Sequence, residues 1–343
     1  MNILVTAPYT EEQLKVVEQF GKVHFRPWKS NGRAFHANEL IELLQETNAD
    51  ALITEHDHVD ASVIEAVDLK FIGVCRGTPS NVDVASATRK GIPVFNTPAR
   101  NAQAVAELVA GSLIVFLRKL REAEYWLKSK TWKSDAHESY LHFRGHELRG
   151  KTIGMVGFGG VGQRVAEVLR GFTCEIQYYD PYLQESPNPA YTARSLEDVF
   201  ATSDIVSIHL PVTADTIGMI DEQLLSLMKP DAILVNSARA AVVNRDALFA
   251  ALQDKRIGGA VLDVFYHEPP DESDYALIEL PNVYATPHIA GASYQVDGYS
   301  IVMMNEALEA WFGQGNRRIR QLVNKSILVE PIEHEHAAKA VGG

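Results

Sequence analysis

The chain has 343 residues, 46% hydrophobic and 22% charged, with a formal net charge of −12. That length allows two domains of ordinary size, the acidic balance argues against a nucleic-acid partner, and no apolar run approaches the roughly 20 residues of a membrane span. Its two cysteines, Cys75 and Cys174, lack metal or redox spacing, and the first residues enter a strand without a basic leader, so a reducing cytoplasm is the expected compartment.

Short apolar runs predict strands at residues 3–7, 23–27, 51–54, 71–75 and 94–96. Helical patterns fall between them at 11–20, 37–46, 61–67 and 82–90. Such alternation implies a parallel sheet with crossover helices. Glu55-His56-Asp57-His58 follows the third strand, facing the edge where ligands bind. Contact with substrate is the reading there. A metal is not expected, because neighbouring residues of an extended chain point to opposite faces.

A long helix is expected over 102–130, its centre 108–117 almost wholly apolar, packed between domains or against another subunit. Next comes Lys151-Thr152-Ile153-Gly154-Met155-Val156 and then Gly157-Phe158-Gly159-Gly160-Val161-Gly162. This G-x-G-x-x-G follows a strand, opens a helix and is succeeded by a second strand ending on Asp180. Gly157 permits the tight turn, Gly159 lets a pyrophosphate approach the backbone, and Gly162 lets helix and strand pack closely. The helix N-terminus supplies N–H groups and a partial positive charge. Asp180, eighteen positions past Gly162, is placed to accept from the ribose hydroxyls. Its charge would repel a 2′-phosphate, and no basic residue follows until Arg194, so NAD is expected over NADP.

Strands at 153–156, 176–179, 205–209, 232–236, 259–263 and 283–286 would complete a six-stranded dinucleotide-binding sheet. A helix over 294–312 follows, and Leu322-Val323-Asn324 then has no strand position left. The chain is therefore expected to cross back to the first unit. Residues 331–343 read as a mobile tail.

Ligands of parallel sheets bind at the carboxyl ends of the strands. Arg239, Glu268 and His288 all leave the second sheet at that edge. The set suits hydride transfer at C2 of a hydroxy acid. His288 would carry the proton, Glu268 would fix the ring and favour its charged form, and Arg239 would hold the substrate carboxylate by two parallel hydrogen bonds.

These residues, with Gly91–Pro98, Asn101 through Glu107, His209-Leu210-Pro211, Asn236–Arg239, Leu262–Phe265 with Glu268-Pro269, and Thr286–Gly291, closely resemble the D-isomer-specific 2-hydroxyacid dehydrogenase family over about residues 45–325. That family includes phosphoglycerate dehydrogenases and glyoxylate/hydroxypyruvate reductases. The resemblance implies an α/β protein with two parallel-sheet domains, a Rossmann NAD-binding domain (102–291) inserted into a flavodoxin-like substrate-binding domain (1–101 and 292–330). It implies Arg239, Glu268 and His288 as the catalytic trio. Gly157, Gly159, Gly160, Val161, Gly162, Asp180, His209, Pro211, Ser237, Ala238, Asp263 and Gly291 would be cofactor-binding positions, Asp263 near the carboxamide.

By the same resemblance the loop after the fourth strand, Cys75-Arg76-Gly77-Thr78-Pro79-Ser80-Asn81, binds the substrate carboxylate through backbone N–H groups. Arg76 and Thr78 depart from the family's glycine-rich pattern there, and Arg76 could reach a distal oxygen or phosphate. Asn101 is a second polar candidate or a helix N-cap. The chain is too short for the regulatory domain of many phosphoglycerate dehydrogenases. Trp126, Trp132 and Tyr140 lie where family members make dimer contacts, so a homodimer is expected. The partner is a small 2-hydroxy or 2-oxo acid, with no metal, nucleic acid or membrane. The competing reading is an NAD-sensing, corepressor-like binding protein on the same fold. A formate dehydrogenase is disfavoured, because that branch carries Gln where this chain has Glu268.

Overall fold

A computed structural model describes residues 1–133, 135–183 and 185–328. Two compact units emerge: Met1–Arg100 together with the returning segment from Tyr294, and Asn101–Ser293.

In the first unit β1 (Asn2–Val5), β2 (Lys22–Phe25), β3 (Ala51–Thr54), β4 (Ile72–Val74) and β5 (Val94–Phe95) form an all-parallel sheet. The order is β2-β1-β3-β4-β5. Helices α1 (Glu11–Val17), α2 (Ala37–Glu46), α3 (Ala61–Ala66) and α4 (Val84–Arg89) make the crossovers. Side chains one residue apart enter opposite layers: Ile3 and Val5 of β1 join one apolar cluster, Leu4 the other. Both faces of the inner strands are covered, which is why β1, β3 and β4 are buried nearly throughout, whereas the edge strand β2 (Lys22-Val23-His24-Phe25) is only partly buried. Each such fully buried side chain is worth about 1.5–3 kcal/mol. Asp60 and Asp83 set the starts of α3 and α4 by accepting from Ser62 N (2.9 Å) and Ser86 N (3.0 Å).

The second unit opens with α5 (Ala102–Leu117), α6 (Leu120–Lys128) and α7 (Ala136–His142). The helix expected over 102–130 is therefore two: Lys119 stands in the left-handed region at φ 52° and breaks it. Val105, Val109, Leu113 and Leu117 of α5 are buried in this unit's own core. The apolar centre of the helix is thus accounted for within the unit.

The remaining elements are β6 (Thr152–Val156), α8 (Gly160–Arg170), β7 (Glu175–Tyr179), β8 (Tyr191–Ala193), α9 (Leu196–Thr202), β9 (Ile205–Ile208), α10 (Glu222–Leu227), β10 (Ile233–Asn236), α11 (Arg245–Gln253), β11 (Gly259–Leu262), α12 (Glu272–Ile278) and β12 (Val283–Ala285). The seven strands are parallel, in the order β12-β11-β10-β9-β6-β7-β8. The sheet has one strand more than expected. β8 is a three-residue edge strand in which only Tyr191 is buried, too short and too polar to show a period. No described helix is long and apolar enough to cross a membrane.

The chain returns through α13 (Gln295–Leu308), whose Ile301, Met304 and Leu308 pack into the first unit's core. The segment for which sequence left no strand position then lies along β5. Leu322 bridges Phe95 in antiparallel sense, Val323 N donates to Val94 O (2.8 Å), and Asn324 accepts from Val94 N (2.9 Å). The expected tail, 331–343, falls outside the described residues.

Candidate active site

In the second unit β6 is the central strand, flanked by β9 on one side and β7 on the other. Successive crossovers therefore run in opposite directions from it, which opens a crevice at its carboxyl end. The glycine loop sits there. Gly157 has φ +86°, and a Cβ on it would lie 2.8 Å from the carbonyl oxygen of His209. A Cβ on Gly162 would lie 2.6 Å from the Gly157 oxygen, so this glycine is what lets α8 close on its strand. Gly159 differs: a Cβ there would meet nothing within 4 Å. Its open face, just before Gly160 and Val161 start α8, suits a pyrophosphate.

Asp180 follows β7 directly. Its carboxylate accepts from Phe158 N of the loop (2.8 Å) and from Tyr182 N (3.0 Å), so loop and acid are locked together. After β9, His209 Nε2 meets the Ser207 hydroxyl at 2.9 Å, and Pro211 O accepts from Thr216 (2.6 Å). After β10, Ala238 N donates to Asn236 Oδ1 (3.0 Å), while the Ser237 hydroxyl is buried with no partner. The open face of Gly159 at the start of α8, with the Asp180 carboxylate bonded to the same loop, is the cradle a dinucleotide's pyrophosphate and ribose would fill. These residues fit NAD.

Burial pushes the His209 imidazole down to about 4, so it is neutral at pH 7. The unfolded chain, titrating near 6.5, then binds more protons than the folded one between those values. Stability is expected to be complete at pH 7 and to fall by up to about 3 kcal/mol as pH drops from 6.5 towards 4. Urea midpoints of the native chain and His209→Asn at pH 7 and pH 5 check this; equal pH losses in both would contradict it.

The next two strands deliver a carboxylate–imidazole pair. His288 Nδ1 and Glu268 Oε2 are 2.7 Å apart, each side chain 41% exposed. His288 has φ 52°, a conformation costly for a non-glycine residue. Asp263 accounts for its persistence. This buried carboxylate, expected beside the cofactor, accepts from Thr286 Oγ1 (2.5 Å), Ile289 N (2.9 Å) and Ala290 N (2.7 Å). It thereby clamps the chain on both sides of His288, a task that sequence reasoning missed. The acid and its three donors are 23–27 residues apart, so no local pattern announces them.

Arg239 lies at the end of β10, exposed, its Nη1 on Ala238 O (2.6 Å). It shares the strand-end row with the pair without bonding to either member. Asn101 occupies the N-cap of α5 but caps nothing; its amide lies where a Cβ on Gly291 would fall, 2.5 Å away. Gly291 is a packing requirement of that side chain.

In the first unit Arg76, Gly77 and Thr78 follow β4. Arg76 O accepts from Thr97 N (2.9 Å) and Gly77 O from Asn96 Nδ2 (2.6 Å). The Glu55–His58 segment bends away after β3, and burial alternates along it. Glu55 and Asp57 are buried, and the His56 side chain is 41% exposed. Glu55 accepts from Trp28 Nε1 and Arg100 Nη1, both at 3.0 Å. Asp57 accepts from Thr6 (2.5 Å), Thr54 (2.7 Å) and Phe35 N (2.7 Å). Both acids serve the fold of that edge.

A glycine loop at a topological switch point, followed by an acid and a carboxylate–imidazole pair, defines a nicotinamide-dependent oxidoreductase. The model of the D-isomer specific 2-hydroxyacid dehydrogenase NAD-binding domain matches residues 110–290. A putative 2-hydroxyacid dehydrogenase of Bacillus subtilis, YoaD, is 54% identical over 330 residues, 96% of each chain. A glyoxylate reductase of Thermococcus litoralis is 36% identical, covering 95% of this chain and 97% of that one. Among solved structures, an acyclic imino acid reductase (Bsp5) in complex with NADPH and D-Arg superposes with TM-score 0.75 at 28% identity, covering 94% of this chain and 99% of that one. The chain belongs to the D-isomer-specific 2-hydroxyacid dehydrogenases. It is an NAD-dependent oxidoreductase that moves a hydride between NAD(H) and C2 of a small D-2-hydroxy acid or its 2-oxo partner. The corepressor reading finds no support in these matches.

Proposed function

We propose that His288 carries the proton, Glu268 orients it and Arg239 anchors the carboxylate of a small, polar 2-oxo acid. The 2.7 Å Glu268–His288 pair, on the same sheet edge as Arg239 and the glycine loop, carries this reading. NAD(H), when bound, supplies or accepts the hydride. Glu268 on Nδ1 leaves Nε2 of His288 to face the substrate oxygen, giving it a proton on reduction and removing one on oxidation. Arg239's planar fork matches a carboxylate and adjacent carbonyl, fixing C2. The first unit is proposed as the substrate-binding domain, the second as the NAD-binding domain. Arg76, by its position in the loop after β4, is proposed to read the far end of a sugar-acid-like or phosphorylated substrate.

NADH oxidation against a panel of 2-oxo acids, short, sugar-derived and phosphorylated, tests the reading. We expect turnover of at least one polar acid and a higher kcat/KM with NADH than with NADPH, because Asp180 disfavours a 2′-phosphate. Equal or better use of NADPH would refute the cofactor preference; no turnover across the panel would refute the substrate class.

A homodimer is part of the proposal, with the cytoplasm as its compartment. Tyr125 (75% exposed), Leu127, Tyr140 (66%) and Leu141 each leave a large apolar side chain exposed on α6 and α7, surface that a second copy would cover. Light scattering at micromolar concentration should give a dimer mass, and Tyr125→Lys with Leu141→Lys should shift it towards monomer. A monomeric native protein would contradict this.

A further inference from the structure

Glu268 does not stand on a regular element. It lies in the loop between β11 and α12, and what holds that loop decides where its carboxylate points. The Asp274 side chain, wholly buried in the first turn of α12, is the centre of the loop's bonding. Its Oδ1 accepts from Tyr266 N (3.1 Å), and its Oδ2 accepts from His267 N (2.9 Å) and lies 3.1 Å from His267 Nδ1. These are the two residues immediately before Glu268. Asp271 holds the other end: it caps α12 through Ser273 N (2.9 Å) and Asp274 N (3.0 Å), and its Oδ2 lies 2.9 Å from His267 Nδ1. Tyr266 is further tied by its hydroxyl to Val243 O (2.8 Å). The carboxylates of this His–Asp–Asp group are thus occupied by backbone N–H groups, the pattern of a clamp.

We infer that Asp274 is a positioning residue of the reaction, aiming Glu268 at His288 by gripping the backbone of Tyr266 and His267. The inference rests on the assignment of Glu268 as the partner of the catalytic histidine. It places a second buried acid opposite Asp263: one holds the turn of His288, the other the loop of Glu268. A buried carboxylate that accepts several N–H groups in a shielded setting holds its loop more firmly than a neutral side chain can. An asparagine there keeps one acceptor and forces an N–H donor against a backbone donor.

The test is a double-mutant cycle in the full-length enzyme, read as kcat, KM for both substrates and NADH affinity. Asp274→Asn is expected to lower kcat about 10–100-fold with NADH affinity within about 3-fold of native, and to cost less than about 3-fold further in a Glu268→Gln background, because groups acting as a unit are non-additive. An equal loss in both backgrounds would show a general structural role and overturn the inference. Full kcat in Asp274→Asn beside a crippled Glu268→Gln would overturn it while leaving the assignment of Glu268 standing. Full kcat in Glu268→Gln would bring down that assignment and the inference with it. Asp274→Ser, smaller and neutral, is read the same way should Asp274→Asn not fold; failure of both to fold assigns Asp274 to folding and overturns the inference.

Discussion

His288→Ala should lower kcat by about 10²–10⁴-fold while leaving NADH affinity near native. The glycine loop and Asp180 bond to each other and not to His288, so removal of the imidazole leaves the proposed cofactor site intact. The fold should survive, because the turn is held by Asp263 through Thr286, Ile289 and Ala290, none of which involves the imidazole. His288→Asn is the cleaner control, since asparagine tolerates a positive φ better than alanine. Glu268→Gln should cost less, about 10–100-fold in kcat, since the amide can still contact Nδ1 but brings no charge. Steady-state kinetics with NADH fluorescence titration separate the effects. Native kcat in His288→Ala would remove the proton carrier from the mechanism; loss of NADH binding would show that the site is not partitioned as described.

The glycine loop provides the second large expectation, in which one substitution has opposite consequences at neighbouring positions. Gly157→Ala should destabilise the protein by about 2–4 kcal/mol, since it combines a positive φ with overpacking against backbone. At Gly157 the new methyl would sit 2.8 Å from the His209 carbonyl, and at Gly162 it would sit 2.6 Å from the Gly157 carbonyl. Gly162→Ala should likewise destabilise by about 1–3 kcal/mol, from overpacking alone. Gly159→Ala meets nothing within 4 Å and should fold like the native chain. Its methyl would stand where the pyrophosphate must approach, so NADH affinity should fall about tenfold or more. Thermal denaturation paired with NADH titration distinguishes the three. A native affinity in Gly159→Ala would mean that the cofactor does not approach the backbone there.

Much of this protein was legible without coordinates, for a physical reason. In a parallel sheet covered on both faces the strands are rich in apolar residues, and ligands bind where they end. Strand position therefore located Gly157–Gly162, Asp180, Arg239, Glu268 and His288 on one edge, and the 2.7 Å Glu268–His288 pair lies where that reasoning put it. Glycine roles were legible because steric demands are local: strand, turn and helix are contiguous around the fingerprint.

Other features depend on partners distant in the chain. The break at Lys119 interrupts a pattern that remains helical on both sides. The edge strand β8 has one buried side chain and no period to detect. The apolar helix 108–117 looked like an interface, because hydrophobicity alone cannot say which surface covers it; α8 and the core of its own unit do. The burial of Asp263, Asp274, Glu55 and Asp57 was beyond sequence altogether. Aspartate and glutamate are ordinarily solvated, and each of these becomes a buried clamp once folding gathers its donors. The sequence by itself determined the glycine loop, the strand-end positions of Arg239, Glu268 and His288, and the family. Only the tertiary structure decided which acids hold Glu268 and His288 in place, because that depends on hydrogen bonds closed across chain separations that no periodicity records.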